Sequence, residues 1–263
     1  MAERAKAADA LARYYDLDLE DDPGDIDLYL ALAESVEGPV LELMAGSGRV
    51  AVPLAMAGQR VVAVDRDAAM LARAAAYWQR VKDGAVKPGK LELVERGLGR
   101  YKRNGRFGLV IVALNSLLLL DGRAAQREAF HVIGSSLAPS GRAVIDVWLP
   151  APDDLALYDG RCVLEWIKRD ETKGTTVSKT TAARYESATR TAHVTSFFDE
   201  WREGGRPART SRHDTVTFVS VDELEDYARS ASLIVDSIGG DYEMGHFASD
   251  NERVVMVLRR TGR

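Results

Sequence analysis

This sequence of 263 residues has one cysteine, a small net charge and no long apolar run. The single cysteine, Cys162, excludes a disulfide framework within the chain and a zinc site built from several cysteines. The net charge of −5 disfavours a nucleic-acid partner held along the protein surface. Every apolar run is shorter than the roughly 20 residues of a membrane span, and the first residues lack an apolar signal segment. We therefore expect a cytoplasmic globular protein without a membrane partner.

Arginine is far commoner than lysine, by 27 to 8. This bias is typical of a GC-rich bacterial genome and indicates no function.

Short apolar strands alternate with amphipathic helices between residues 38 and 150. The predicted strands are Val40–Met44, Arg60–Val64, Leu91–Val94, Phe107–Leu114 and Arg142–Trp148, and the predicted helices are Val50–Ala57, Asp67–Arg80 and Arg123–Leu137. This alternation predicts a doubly wound, Rossmann-like α/β sheet with right-handed crossovers. A helix at Val221–Ala231 follows later, and the strands Ile234–Ile238 and Arg253–Leu258 are expected to form a hairpin that closes the sheet.

Residues 151–219 have a different pattern from the segments on either side. Four runs rich in threonine, valine and aromatic residues alternate with a period of two: Cys162–Ile167, Thr175–Tyr185, Thr189–Trp201 and Arg209–Phe218. They predict a small antiparallel β insertion, which we expect to be a substrate element or a dimer interface. The ranges 38–150 and 220–263 then form one Rossmann-like domain. Residues 1–37 are predicted to form two helices around an acidic break.

A glycine turn follows the first predicted strand. Gly46 and Gly48 permit a tight turn and the close approach of a ligand to the start of the next helix. By itself this G-x-G-x-x-A pattern also fits a dinucleotide-binding fold. Glu42, inside the strand, would repel a pyrophosphate and suits a ligand that carries an amino group or a positive sulfonium. Asp65, at the end of the second strand, can accept both hydroxyls of a ribose, although NAD-dependent enzymes use the same device.

On these motifs, the chain resembles the class I S-adenosylmethionine (SAM)-dependent methyltransferases. The segments that carry the resemblance are Glu42-Leu-Met-Ala-Gly-Ser-Gly-Arg, Val64-Asp-Arg-Asp with Met70 after it, Phe107-Gly-Leu-Val-Ile-Val-Ala-Leu-Asn-Ser and Leu137-Ala-Pro-Ser-Gly-Arg-Ala-Val-Ile-Asp-Val. The resemblance covers nearly all of residues 35–150 and 220–260, including a terminal strand pair that this family adds as an antiparallel edge. It implies SAM as the cofactor and methyl transfer to a small-molecule acceptor.

The resemblance also implies a role for each part of the cofactor site. The residues implied to bind SAM are Glu42, Met44, Ala45, Gly46 and Gly48 for the methionine part, Asp65 for the ribose, Arg66, Gly97 and Leu98 for the adenine, and Leu114 and Asn115 near the transferred methyl group. Gly97 stands where the family often has an acidic residue, so Glu95 or the backbone of Gly97 and Leu98 takes that role. Phe107-Gly108 replaces the usual Phe-Asp pair of the family.

Tyr15 belongs to a Tyr-Tyr-Asp segment in the N-terminal region. Similar segments in the family fold over the cofactor, so residues 1–37 are expected to form a lid with Tyr15 at the cofactor or acceptor pocket. A lid would exclude water, from which methyl transfer benefits.

No catalytic base or metal site is evident in the sequence. The four histidines lack metal-ligand spacing, and we expect no metal. Tyr15, Asn115, His193 and His213 are candidates for the acceptor pocket. An amine acceptor needs only to arrive unprotonated, whereas a hydroxyl requires a base, so nitrogen is slightly preferred over oxygen as the methylated atom.

Several questions stay open at the level of the sequence. A SAM-binding regulatory protein without turnover is one alternative function, and an NAD-dependent dehydrogenase, opposed by Glu42, is another. An oligomer formed through the insertion is a further open possibility. Asp146 is expected to be structural or to line the pocket, and Trp148 to pack in the core.

Overall fold

The computed structural model describes residues 2–21, 23–101 and 105–262, with the backbone alone for residues 2–4. The chain divides into two compact units. The smaller unit comprises residues 1–22 and 150–218, and the larger unit comprises residues 23–149 and 219–263. The two helices of the predicted 1–37 segment lie in different units, since α1 (Ala2–Asp18) belongs to the smaller unit and α2 (Ile26–Glu34) to the larger.

A seven-stranded sheet forms the centre of the larger unit. Its strands are β1 (Val40–Leu43), β2 (Arg60–Asp65), β3 (Lys90–Glu95), β4 (Phe107–Val112), β5 (Leu137–Trp148), β10 (Leu233–Gly239) and β11 (Arg253–Arg260). They lie in the order β10-β11-β5-β4-β1-β2-β3. The first five strands pair in parallel, and β11 is antiparallel to both β5 and β10. The predicted Rossmann-like sheet with an antiparallel terminal strand is confirmed.

Helices of the larger unit follow the strands as predicted. Besides α2 they are α3 (Ala51–Met56), α4 (Ala68–Val81), α5 (Gly122–Ser136) and α7 (Val221–Ser230). Asp67 caps α4 by accepting the backbone N–H groups of Ala69 and Met70. All residues of β1 and β4 are buried, which explains why these strands are apolar apart from Glu42 in β1.

Gly108 explains one departure from the family pattern. A Cβ atom at this position would lie 2.1 Å from the carbonyl oxygen of Glu37, so a side chain would collide with the backbone that leads into β1. The Gly108 N–H donates to the carbonyl of Pro39 at 2.9 Å. The family's aspartate cannot be accommodated here, because these two backbone segments approach too closely.

The smaller unit is a four-stranded antiparallel sheet with α1 against one face. Its strands are β6 (Asp159–Asp170), β7 (Thr175–Glu186), β8 (Thr191–Trp201) and β9 (Ala208–Thr217), paired in chain order, with the short helix α6 (Pro152–Ala156) before β6. Tyr14 of α1 stacks on Phe198 with ring centroids 4.9 Å apart. These rings and Val177 form a small apolar cluster. The predicted separate β insertion is confirmed as a structural element.

Across the described residues, none of the helices combines the length and apolar character that crossing a membrane requires.

Candidate active site

Asp65 joins the loops that follow three neighbouring strands. Its carboxylate accepts the N–H of Gly46 and the N–H of Asp67, each at 2.8 Å. Its carbonyl accepts the N–H of Arg96 at 2.7 Å. The loops after β1, β2 and β3 are therefore fixed to one residue. Each carboxylate oxygen keeps a second lone pair, so Asp65 can still accept hydrogen bonds from a ligand.

Glu42 is a buried carboxylic acid at the centre of β1. Its side chain accepts a backbone hydrogen bond from Ala51, whereas Oε2 has no hydrogen-bond partner among the residues that the structure describes. Burial raises the pKa of Glu42 from 4.5 to about 8, against the opposing attraction of the Arg49 guanidinium. A buried acid with an unused oxygen suits a cationic group better than a phosphate.

A buried ion pair supports the glycine loop. Arg49 donates from Nη1 and Nη2 to the two carboxylate oxygens of Asp25, both at 2.6 Å. Asp25 is fully buried and precedes the first residue of α2. Sequence reasoning missed this pair, because the two residues are far apart in the chain and Asp25 belongs to an acidic segment typical of a solvated turn.

The glycine loop itself has the backbone that the motif predicts. Gly46 and Gly48 have φ angles of 55° and 82°, and Met44 also has a positive φ of 58°. A Cβ atom at Gly48 would lie 2.9 Å from the Cβ of Ala74 in α4, so helix packing as well as the turn requires glycine. Ala45 is buried, and its N–H donates to the carbonyl of Val64 at 3.0 Å.

The loop after β4 is a second strained segment at the same edge of the sheet. Leu114 and Asn115 have positive φ angles of 48° and 63°. Such conformations in residues other than glycine concentrate at functional sites. The Leu114 N–H donates to Asp146 at 3.0 Å, and the Asn115 side-chain oxygen accepts the N–H of Trp148 at 2.6 Å. Neighbouring groups thus hold this loop in place.

Asp146 is the centre of a buried polar network under that loop. It is fully buried and accepts hydrogen bonds from the Tyr29 hydroxyl at 2.5 Å and from Arg253 at 2.6 Å, in addition to Leu114. Burial raises the pKa of Asp146, and the Arg253 guanidinium opposes this shift. Of the two roles expected for Asp146, the contacts support the structural one. Tyr29 and Arg253 carried no sequence signal, because the network forms only when α2 and β11 meet β5.

The remaining predicted cofactor residues of the larger unit lie on the loops beside Asp65. Gly97 and Leu98 are half-buried at the start of a short 3-10 helix, Leu98–Arg100. Arg66 is exposed directly after β2. Their contact with adenine stays a prediction.

The other pocket candidates belong to the smaller unit. Tyr15 is half-buried in α1. His193 and His213 are exposed on β8 and β9, and Nδ1 of His213 lies 3.0 Å from the Thr195 hydroxyl. Their roles toward cofactor and acceptor stay predictions.

A cavity of about 210 Å³ opens beside the last residue of β5 and the first residue of β11. It is lined by Trp148, Gly240, Asp241, Tyr242, Glu252 and Arg253. Trp148, expected in the core, is half-buried and forms part of this lining. No sequence motif indicated the cavity, since its residues come from three separate segments.

Within the described ranges, the His, Cys, Asp and Glu side chains form no group of three or more arranged to hold a metal ion.

The residues of the larger unit fit SAM as the resemblance implies. Glu42 offers an unpartnered carboxylate oxygen to a cationic methionine part, and Gly48 keeps the loop free of a side chain. Asp65 is half-buried at the end of β2, with acceptor capacity for ribose hydroxyls.

Comparison with known proteins gives one curated relative and many solved structures. No family model matches the chain. The cypemycin N-terminal methyltransferase of a Streptomyces species is 26% identical over 221 residues, which are 84% of this chain and 82% of that protein.

Among solved structures, the CcbJ methyltransferase from Streptomyces caelestis has a TM-score of 0.73 at 22% identity, covering 92% of this chain and 98% of its own. A SAM-dependent methyltransferase from Clostridium acetobutylicum has a TM-score of 0.72 at 16% identity, covering 96% and 98%. The sugar N-methyltransferase KedS8 from Streptoalloteichus has a TM-score of 0.69 at 16% identity, covering 94% and 93%.

These findings confirm the resemblance stated from the sequence. The chain has the class I SAM-dependent methyltransferase fold, and its curated relative is a methyltransferase. The fold and the curated relative both agree with a SAM-dependent methyltransferase.

Proposed function

We propose that this protein is a SAM-dependent methyltransferase that methylates a nitrogen atom of a small-molecule acceptor. The observation that carries the proposal is the presence of two acids, Glu42 and Asp65, on the strands beside the glycine loop. A buried acid with a free oxygen in β1 and an anchored acid at the end of β2 suit a ligand with a cationic end and a ribose. The seven-strand order of the methyltransferase fold supports the same conclusion.

In this proposal the larger unit holds the cofactor through the loops after its first four strands. The residues involved are Glu42, Met44, Ala45, Gly46, Gly48, Asp65, Arg66, Gly97, Leu98, Leu114 and Asn115. When bound, SAM supplies an electrophilic methyl group on a positively charged sulfur. The chain's own contribution is positioning, because Asp65 fixes the loops on one side and Asp146 fixes the loop of Leu114 and Asn115 on the other.

SAM, held by these residues, would supply its methyl group to an acceptor nitrogen, with the electrons of the C–S bond staying on sulfur and one nitrogen-bound proton being released. Because positive charge would pass from sulfur to nitrogen, the chain's own contribution would be orientation of the acceptor and exclusion of bulk water.

Two observations favour nitrogen over oxygen as the methylated atom. An amine needs no dedicated base, and none was identified from the sequence. The names of the cypemycin N-terminal methyltransferase and of the sugar N-methyltransferase KedS8 both state N-methylation.

Calorimetric titration with S-adenosylhomocysteine (SAH), SAM and NAD tests the cofactor. We expect SAH and SAM to bind and NAD not to bind, and binding of NAD alone would support a dehydrogenase instead. A methyl-transfer screen with acceptors matched in shape but carrying either an amine or a hydroxyl tests the reaction. SAM binding without transfer to any acceptor would favour a regulatory protein.

For the smaller unit we propose a role toward the acceptor and a lid that includes α1 and Tyr15. Arg13 and Tyr14 attach α1 to the sheet of this unit, so α1 and the insertion would move together. Substitution of His193 or His213 by alanine should change activity on the acceptor and leave SAH affinity unchanged. An oligomer through the insertion, the other role expected for it, is tested by sedimentation velocity.

A further inference from the structure

The cavity beside Trp148 lies at the same edge of the sheet as the proposed cofactor loops. Trp148 is the last residue of β5, and its register partner Arg253 is the first residue of the antiparallel β11. The carboxyl end of β5 and the amino end of β11 therefore meet at one edge. The proposed cofactor residues follow β1, β2 and β3 along this edge, and the loop of β4 lies between them and the cavity.

Two residues that line the cavity, Trp148 and Arg253, are connected by hydrogen bonds to the loop after β4. The backbone N–H of Trp148 donates to Asn115, and Arg253 donates to Asp146, which in turn accepts the N–H of Leu114. The cavity thus adjoins the residues expected near the transferred methyl group.

The charges that line the cavity leave an excess of negative charge. Arg253 is paired with the fully buried Asp146 at 2.6 Å, and its guanidinium lies 5.0 Å from the ring centre of Tyr242. Asp241 uses Oδ1 to accept the N–H groups of Glu243 and Gly245 at 3.0 and 2.8 Å. In the part of the chain that the structure describes, no cationic side chain pairs with Asp241 or Glu252.

Two aromatic side chains complete the lining. Trp148 suits a cation or an apolar ring, whereas the ring of Tyr242 already has the Arg253 guanidinium 5.0 Å from its centre. The Tyr242 hydroxyl is buried without a hydrogen-bond partner within the described chain, so it adds no accessible polar group to the cavity.

We infer that this cavity binds the amine-bearing end of the acceptor, with Asp241 and Glu252 attracting its ammonium form. This inference rests on the proposed methyltransferase function. At about 210 Å³ the cavity is smaller than the roughly 300–1,000 Å³ of pockets for drug-sized ligands. It therefore takes a single small ring or a group the size of an amino acid.

The two carboxylates also suit the reaction. The ammonium form would first lose one proton to water, and SAM, when bound, would then supply the methyl group while the C–S electrons stay on sulfur. The nitrogen would regain the positive charge that sulfur loses, and Asp241 and Glu252 beside it would stabilise that developing charge.

Titration with cyclohexylamine and cyclohexanol tests the inference, because the two probes share one ring and differ in charge. With the full-length protein, we expect cyclohexylamine to bind at least about 10-fold more tightly than cyclohexanol. The variants Glu252→Gln and Asp241→Asn should each weaken cyclohexylamine binding about 3-fold and leave cyclohexanol unchanged. Asparagine at position 241 keeps the oxygen that accepts the turn's N–H groups.

Glu243→Gln is the matched control, since Glu243 is an exposed acid on the same turn that does not line the cavity. Equal affinity for the two probes, or an equal loss in the Glu243 variant, would overturn the inference. The titration is run with and without SAH. Failure of SAH to bind overturns the proposed function, whereas SAH binding with no preference for the amine overturns only the assignment of this cavity.

Discussion

The two units of this protein differ in what fills their interiors. In the larger unit, β1 and β4 are wholly buried and form a continuous apolar core with the helices. In the smaller unit the apolar cluster is small, and Arg13 of α1 is buried against Asp170 and Glu200. The outer face of its sheet is open, with Leu164 56% and Ile167 58% exposed.

This difference concerns the roles of buried charged side chains, which stabilise the fold in the smaller unit and also form part of the proposed ligand site in the larger. In the larger unit, Asp25 pairs with Arg49 of the glycine loop, and Asp146 accepts the N–H of Leu114. Glu42 lies within β1 with one oxygen available to a ligand.

In the smaller unit, the ion pairs of Arg13 with Asp170 and Glu200 lie between α1 and the sheet, where apolar contacts are few. Substitutions of single charged residues should therefore change the stability of one unit each.

The largest effect is expected for Asp146→Ala. It leaves Arg253, the Tyr29 hydroxyl and the Leu114 N–H without their common partner, so the larger unit should lose about 3–5 kcal/mol of unfolding free energy. Denaturant unfolding with hydrogen exchange measures the loss and locates it. Asp146→Asn is the control, because it keeps an acceptor and should be affected less. Equal loss of protection in the smaller unit would show that the two units unfold as one.

Arg13→Ala is the corresponding change in the smaller unit. Asp170 and Glu200 lose their cation, although Thr172, Thr175 and Tyr14 still donate to them, and we expect a loss of about 2–4 kcal/mol.

Amide protection should fall in β6–β9, and because α1 belongs to the proposed lid, SAH affinity should also fall, but less than in Asp65→Ala. Arg13→Lys keeps the charge but loses the fork that reaches both acids, so its effect should be intermediate. A loss of SAH affinity with Arg13→Ala as large as that with Asp65→Ala would contradict the separation of roles between the units.

Asp65→Ala tests ligand binding in the larger unit. Loss of charge-assisted hydrogen bonds to the ribose should weaken SAH about 100-fold, equivalent to about 2.7 kcal/mol. The protein should remain folded, since Asp65 is half-buried at a strand end. Calorimetry measures the affinity. Asp65→Asn separates loop anchoring from charge, because it keeps an oxygen for one N–H; unchanged affinity in both variants would falsify the cofactor assignment.

Glu42→Gln should have opposite effects on stability and on binding. The folded pKa of about 8 exceeds the ordinary value of 4.5, so the folded protein holds a proton that the unfolded chain releases above 4.5. Wild-type stability therefore falls as pH rises from 4.5 to 8, relative to the variant, which has no such ionisation.

Above pH 8 we expect the variant to be about 1–3 kcal/mol more stable and to bind SAH more weakly. Thermal unfolding of the ligand-free protein across this pH range measures the first effect, and calorimetry measures the second. A constant stability difference at all pH values would argue against burial of an ionisable Glu42.

The fold was largely predictable because its strands and helices carry strong local patterns. Strands buried on both faces read as apolar runs, and the alternating strands of the insertion read as a period of two. The bounds of β5 begin at Leu137, earlier than the predicted Arg142. The register with β4 shifts between the pair of Phe107 with Leu137 and the pair of Leu109 with Arg142, so residues 138–141 form an irregular segment before the regularly paired part of the strand.

The site was predictable only where a motif lies within one loop. The glycine turn and Asp65 are such cases, and the structure places them together. The networks of Asp25 with Arg49 and of Asp146 with Tyr29 and Arg253 join residues 24 to 117 positions apart, so no local pattern reveals them.

The smallest effect is expected for the pair of Arg209 and Asp199 on the smaller sheet. Their contact of 2.7 Å resembles that of Arg13 with Glu200, and the Arg209 guanidinium lowers the pKa of Asp199. The Arg209 side chain is, however, 60% exposed, whereas that of Arg13 is 8% exposed. Solvent screens the exposed pair, so Arg209→Gln should change the unfolding free energy by less than about 0.5 kcal/mol. That small contribution is present above the ordinary Asp pKa of 3.8 and is lost as pH falls through the lowered value. Denaturant unfolding of the Arg209 and Arg13 variants in low and high salt compares the two pairs directly. A loss at Arg209 as large as that at Arg13 would show that burial does not distinguish them, and that the open face of this sheet is covered in solution.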